Sequence, residues 1–191
     1  MKLSADHLHD IRYRLVQGLE TREQIIASMI ANRPDELAAL RDDLREAVDV
    51  AFAAKAEQVA AWPPVTDNDR LLTAFAALDG QGILALESPG DTQEEAIRQA
   101  VAQAAIRAGL ARPVHGYCFF TWNDMARAID GEGLTLAYGT FDESDTTTSP
   151  SPEQKVGTAI VTACRDAGLG VEWSGSDEDF IELPRFTWQR R

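Results

Sequence analysis

The sequence predicts an α+β fold, in which N-terminal helices precede a mixed, mostly aromatic-packed sheet of about five strands with covering helices. Of the 14 aromatic residues, only four precede residue 80, whereas ten lie beyond residue 114. Aromatic side chains favour strands, so the sheet is expected in the second half. Before residue 63, apolar residues recur at spacings of three and four, as in amphipathic helices. Hydrophobic residues make up 45% of the 191 residues, which suffices for a packed core.

Residues 1–62 are predicted to form a helical N-terminal segment. Its first apolar stripe consists of Leu8, Ile11, Leu15 and Leu19. Thr21 and Gln24 have the spacing of a capping box, which begins a second helix. Pro34 suits the first turn of a third helix, because its missing N–H would have no helical partner there. We expect that helix to end at Pro63–Pro64, which marks the boundary with the second part.

Residues 69–191 are predicted to form an α+β domain of alternating strands and helices. Its predicted strands cover residues 83–86, 115–121, 134–141, 171–173 and 180–183. Its predicted helices cover residues 69–78, 92–108, 123–129 and 153–167. The last two strands have the pattern of a hairpin around a polar turn, which favours a mixed sheet over a parallel one.

Charge and cysteine content narrow the classes of function. The chain has 18 basic and 31 acidic residues, a net charge of −13. This acidity disfavours nucleic acids and anionic membrane surfaces as partners, because both require a basic footprint. No apolar run has the length of a membrane span or a signal peptide, and two cysteines cannot form a disulfide framework. We therefore expect a cytoplasmic protein, and we identify no metal-ligand spacing or cofactor motif.

One hypothesis is that the protein is an enzyme whose active site lies around the predicted strand 115–121. His115 and Asp124 are the candidate catalytic residues of a hydrolase-like site at the strand ends, and Tyr117 and Trp122 are candidate binding residues. His115 with Cys118 is a further candidate pair, either as base and nucleophile or as two metal ligands. However, residues three apart on a regular strand point to opposite faces, so we expect Cys118 to be a core residue.

The other hypothesis is a binding function, which is suggested by charged residues in the second half of the chain. Two predicted loops are acidic, one with Asp142, Glu143 and Asp145 and the other with Asp177, Glu178 and Asp179. An acidic face with aromatic neighbours could bind a protein with a basic surface, although such loops also serve solubility. Arg190 and Arg191 could bind an anionic ligand. The alternative is that Phe186 and Trp188 pack as a last strand and the two arginines pair with nearby carboxylates.

Several segments resemble an uncharacterised bacterial family, domain of unknown function 6891. The resemblance rests on Asp69–Leu71 with Phe75–Leu78, on Gly82–Leu86, on His115–Phe120 with Asp124, on Gly133–Gly139 and on the closing Phe186–Arg191. It covers roughly residues 10–191. The family pattern has a turn with asparagine, glycine and tyrosine after the first strand, where this chain has Glu87–Asp91. The resemblance implies the fold boundaries but no activity, substrate or catalytic residue.

These observations favour a non-catalytic binding or regulatory protein with an acidic interaction surface. The alternative is the small-molecule enzyme with a site near His115 and Asp124. The helical segment 1–62 could be a docking or dimerisation arm, giving a homodimer, or it could pack on the sheet.

Overall fold

The computed structural model of the protein describes residues 2–141 and 150–191. The chain folds into two compact units. The first comprises Met1–Thr66 together with Gln189–Arg191, and the second comprises Asp67–Trp188. The first unit is helical, and the second contains a mixed sheet with helices. The predicted α+β class is therefore confirmed.

The first unit is built from helices with well-defined beginnings. Its elements are α1 (Ala5–Gln17), α2 (Arg22–Asn32), α3 (Pro34–Leu37), a 3-10 turn (Ala38–Leu40) and α4 (Arg41–Ala60). Ser4 precedes α1 and Thr21 precedes α2, and each has a reciprocal capping box with the residue three positions later. The capping box predicted for Thr21 and Gln24 is confirmed, and Pro34 lies in the first turn of α3 as predicted.

The apolar stripes of these helices form one core in the first unit. Its buried members are Ile11, Leu15, Ile25, Met29, Leu37, Leu40, Leu44 and Val48. The prediction of one continuous third helix is wrong, because the 3-10 turn separates α3 from α4. Residues three apart lie above one another in 3-10 geometry. The turn therefore aligns Leu37 with Leu40, and both side chains are buried.

The second unit alternates helices with the strands of one sheet. Its elements are α5 (Asp67–Gly80), β1 (Ile83–Glu87), α6 (Gln93–Gly109), β2 (Gly116–Phe120), α7 (Trp122–Ile129), β3 (Leu134–Thr140), α8 (Pro152–Asp166) and β4 (Ile181–Leu183). The strand order is β1-β2-β3-β4. β1 and β2 are parallel, as their connection through α6 allows, and the other neighbours are antiparallel. The predicted mixed character of the sheet is confirmed.

The described sheet has four strands, not the predicted five. The segment expected as the fifth strand, residues 171–173, makes a single bridge between Glu172 and Glu182. β4 instead forms its ladder with β3, from Leu134–Leu183 to Leu136–Ile181. One bridged pair does not make a strand, so the predicted hairpin is reduced to β4 and an irregular segment beside it.

The two faces of the sheet carry different cores. Cys118 and Phe120 face the larger core, which α5 and α8 help to form. Phe119 points to the opposite face, where it packs with Ala96 of α6 and Ala137 of β3. The alternation of side chains along β2 thus places adjacent aromatic residues in separate cores.

The C-terminal aromatic residues are buried without forming a strand. Phe186 and Trp188 belong to the larger core, and the indole of Trp188 meets the ring of Phe120 edge-on, with centroids 5.9 Å apart. The expectation that they form a last strand is wrong. Their burial comes from aromatic packing, which needs no ladder of backbone hydrogen bonds.

Candidate interaction site

The segment Ser174–Phe180, which we call the acidic loop, is a polar feature of the second unit. It lies between Trp173 and β4 and contains Asp177, Glu178 and Asp179, all of which are exposed. Among the residues that the structure describes, none of these three carboxylates pairs with a lysine or arginine. Their negative charge therefore faces solvent unneutralised by the described part of the chain.

The hydroxyl groups of two serines make hydrogen bonds within the acidic loop. Ser174 Oγ donates to Asp179 Oδ2 over 2.7 Å and accepts a hydrogen bond from Ser176 N over 3.0 Å. Ser176 Oγ accepts from Glu178 N over 3.2 Å. The two bonds from backbone N–H groups each join residues two positions apart, as in ST turns, and the bond from Ser174 to Asp179 joins two side chains five positions apart. They fix the path of the backbone beneath the carboxylates.

The aromatic residues Tyr138 and Trp173 anchor the middle of the acidic loop. Tyr138 Oη and Trp173 Nε1 both donate to the carbonyl oxygen of Ser176, over 2.9 Å and 3.1 Å. Their rings meet edge-on, with centroids 6.0 Å apart. Both side chains also pack against the larger core. The loop backbone is thus tied to the interior by two half-buried donors.

The first turn of α8 provides a second anchor. Ser151 caps this helix by accepting from Gln154 N, and its hydroxyl donates to Asp177 Oδ2 over 2.9 Å. Gln154 Nε2 donates to the carbonyl oxygen of Gly175 over 3.2 Å. The capping box of α8 therefore also positions the loop and one of its carboxylates.

The charge of the acidic loop acts on the phenol of Tyr138. Burial is the main cause of the raised pKa of Tyr138; the hydrogen bond with Trp173, the next largest effect, lowers this pKa, and the negative charges of Asp177, Asp179 and Glu153 raise it. Removing the carboxylates should therefore make this phenol easier to ionise.

Phe180 is a candidate interaction residue that the sequence analysis does not single out. It directly follows the three acidic residues, and 46% of its surface is exposed. The sequence predicts a strand that starts at Phe180, whereas β4 begins at Ile181. An aromatic side chain outside the core beside fixed carboxylates could anchor a partner by hydrophobic contact. The signal available in the sequence was the run of three acidic residues ending in phenylalanine.

The structure does not bring His115 and Asp124 together. They lie at opposite ends of β2, whose five residues span roughly 17 Å. Asp124 belongs to the capping box of α7, where its carboxylate accepts hydrogen bonds from Thr121 N and Thr121 Oγ1. His115 is exposed, with its ring beside Gly82. Asp124 thus has a structural task, and the two residues do not share a site.

The predicted binding residues Tyr117 and Trp122 lie outside the acidic loop. Tyr117 is half-buried; its ring stacks on that of Phe119, with centroids 6.1 Å apart, and lies tilted against that of Phe141, with centroids 5.1 Å apart. Burial, followed by the charge of Glu153, raises its pKa. Trp122 begins α7 and packs partly buried against the larger core. The remaining acidic candidates lie outside the described residues: Asp142, Glu143 and Asp145.

The C-terminal arginines contact backbone carbonyl groups of the first unit. Arg190 Nε donates to the carbonyl oxygen of Gly18 over 2.9 Å. Arg191 Nη2 donates to that of Pro63 over 2.6 Å. At Gly18, a Cβ atom would lie 2.9 Å from Cγ of Arg190, so the glycine admits this arginine stem. The contacts tie the end of the chain to the helical unit.

Both cysteines are buried thiols, as predicted for Cys118 and Cys164. Burial raises the pKa of Cys164 to about 12. The pKa of Cys118 is also well above its ordinary value, because of burial and then of the neighbouring Cys164. A thiolate nucleophile is thereby disfavoured at either position.

Among the residues described, no group of three or more His, Cys, Asp or Glu side chains is arranged to hold a metal ion. No helix in residues 2–141 or 150–191 has the length and apolar character needed to cross a membrane. A search of the curated proteins and a search of the solved structures each find no match. The family model of DUF6891, described as a domain of unknown function, matches residues 2–191, and the chain therefore belongs to that family.

Proposed function

We propose that this protein is a non-catalytic binding or regulatory protein whose acidic loop binds a protein partner with a basic surface. The single observation that carries the proposal is the construction of the loop. Its three carboxylates have no lysine or arginine partner in the described part of the chain, and they are held beside the exposed ring of Phe180. Interfaces commonly combine an aromatic anchor with complementary charge around it.

The anchoring of the loop supports binding over mere solubility. A solvating loop needs charge but no fixed shape, whereas a binding loop gains affinity when its conformation is set beforehand. Hydrogen bonds from Tyr138, Trp173, Ser151 and Gln154 hold the backbone or the carboxylates of the loop. The partner would therefore meet charges that need little further ordering.

The overall charge fits the same partner. With a net charge of −13, the chain attracts basic proteins at long range and speeds their association at low salt. Two buried thiols that are free in the structure support a reducing compartment, so we propose a cytoplasmic location. This part of the proposal is checked by locating the tagged protein in its own cells.

Photo-crosslinking tests the proposed partner. Phe180 is replaced by p-benzoylphenylalanine, and the matched control places the same group at Val101, whose exposure is 53%. After irradiation in a lysate of the source cells, we expect position 180 alone to capture a protein with a basic surface. The yield should fall as sodium chloride is added, because salt screens exposed charges.

Charge variants show whether the carboxylates are responsible. Asp177→Asn, Glu178→Gln and Asp179→Asn together should reduce capture about tenfold, since complementary charge governs association. The control changes Asp43→Asn, Glu46→Gln and Glu57→Gln, which removes the same number of negative charges from exposed positions of α4. Equal capture by both triple variants, or equal crosslinking at positions 180 and 101, would contradict the proposal.

A further inference from the structure

A cleft in the second unit is lined by segments that are distant in the sequence. It has a volume of about 230 Å³. Its lining consists of Asp67 from α5, the turn Gly168–Gly170 after α8, Leu183 from β4, and Arg185 and Phe186 beyond β4. It shares no residue with the acidic loop, and the inference below does not depend on the proposed function.

Arg185 is the cationic group of this cleft. Its Nη2 atom lies 3.5 Å from the position that a Cβ atom of Gly170 would occupy. The guanidinium therefore lies along the glycine backbone, where a side chain would narrow the space. Within the described residues, Arg185 makes no hydrogen bond or ion pair. A guanidinium offers five N–H donors in a fixed plane, and those of Arg185 have no acceptor in residues 2–141 and 150–191.

Arg70 supplies a second cation at the other end of the same turn. Its Nε atom lies 3.4 Å from the Cβ position of Gly168, whose φ of +88° favours glycine. Two guanidinium groups thus flank the turn Gly168–Gly170, one at each terminal glycine. The absence of side chains on both glycines leaves space next to the cations.

Asp67 is the acidic member of the cleft, and hydrogen bonds from the protein occupy both of its oxygens. Oδ1 accepts from Arg70 Nη1 over 2.7 Å, and Oδ2 accepts from Thr187 N over 3.0 Å. The carboxylate neutralises one of the two arginines. The charge of Arg185 remains uncompensated, so the local balance is positive within a strongly acidic protein.

We infer that this cleft is a binding site for a small-molecule oxyanion, a carboxylate or a phosphate, with Arg185 as its principal ligand. A planar guanidinium binds either group through paired, charge-assisted hydrogen bonds. Leu169, Leu183 and Phe186 also line the cleft, but each is more than nine-tenths buried, so the walls offer a ligand little apolar surface. The volume is below the roughly 300–1,000 Å³ of pockets for drug-sized ligands, which favours a small molecule.

Calorimetric titration of the full chain tests the site with inorganic phosphate and with malonate, at constant ionic strength set by sodium chloride. We expect saturable binding of at least one of the two anions. The anion that binds more tightly shows whether the site prefers a phosphate or a carboxylate. Arg185→Gln should weaken that binding about tenfold or more, because charge-assisted hydrogen bonds are lost. The matched control is Arg98→Gln on α6, where Arg98 pairs with Glu94 at the surface, and it should leave affinity unchanged.

A second measurement on the unmodified protein avoids any effect of substitution on folding. The Nε–Hε resonance of Arg185, observed by NMR, should shift as the anion is added. The dissociation constant from this shift should equal the one measured by calorimetry. The inference is overturned if neither anion saturates in the millimolar range. It is also overturned if Arg185→Gln and Arg98→Gln behave alike, or if the Arg185 resonance does not move. Crosslinking at Phe180 reports on the acidic loop, so the two ideas can fail separately.

Discussion

Replacing Gly157 with alanine should destabilise the second unit and loosen the acidic loop. Gly157 is buried in α8, and a methyl group there would lie 2.7 Å from Cζ2 and 2.9 Å from Cη2 of Trp173. Neither distance is tolerated between carbon atoms, so the indole must move. Because Trp173 Nε1 donates to Ser176, its displacement also releases the middle of the loop.

Three terms set the magnitude of this effect. Overpacking a well-filled core costs about 1–3 kcal/mol. Losing the hydrogen bond from Trp173 to Ser176 costs about 1 kcal/mol more. Alanine in place of glycine within a helix returns about 1 kcal/mol. The free energy of unfolding should therefore fall by about 2 kcal/mol, which at a typical urea dependence lowers the midpoint by about 1 M.

Urea unfolding followed by tryptophan fluorescence measures the stability, and amide hydrogen exchange at Glu178 measures the loop. The matched control is Gly109→Ala at the end of α6, where nothing lies within 4 Å of the new methyl group. That variant should be as stable as the parent or slightly more stable. If Gly157→Ala also left stability and exchange unchanged, the packing of Trp173 on α8 would not be what holds the loop.

Three more results are expected. Asp124→Ala should cost about 1 kcal/mol in thermal unfolding, because α7 loses its capping box, whereas Asp124→Asn should cost less. Native Cys118 and Cys164 should not react with a thiol reagent at pH 8, since burial raises both pKa values, and should react once urea unfolds the chain. Because the pKa of Tyr138 is raised in the folded state, the unfolded phenol ionises first as pH rises beyond its ordinary value near 10. Stability should therefore fall above that pH, and less steeply in Tyr138→Phe; parallel alkaline profiles would argue against it.

Local signals in the sequence predicted where α2 and α3 begin. The box of Thr21 with Gln24 and the position of Pro34 depend only on residues within one turn, so their chemistry can be read directly. Whether residues 171–173 form a strand depends instead on how many backbone pairs they make with a segment that is distant in the sequence. They make a single β-bridge, between Glu172 and Glu182, and no local sequence pattern predicts this number.

Contacts between distant segments were also what the sequence could not predict at the candidate sites. The sequence identified the acidic residues of Ser174–Phe180 but not their anchors, because Tyr138 and Ser151 come from other elements. The cleft was missed entirely, since Asp67, Gly168 and Arg185 meet only in the folded second unit. Spacing of residues can reveal a local motif, but it cannot reveal a cavity assembled from distant segments.

The membership of Gln189–Arg191 in the first unit has a consequence for the order of folding. The second unit is inserted between the two chain segments that make up the first. The hydrogen bond from Arg190 to Gly18 closes a loop across 172 positions, so it forms late and at a high entropic cost. The first unit thus lacks these contacts until residues 189–191 are in place. Loss of the final three residues should therefore weaken the part of the protein that is made first.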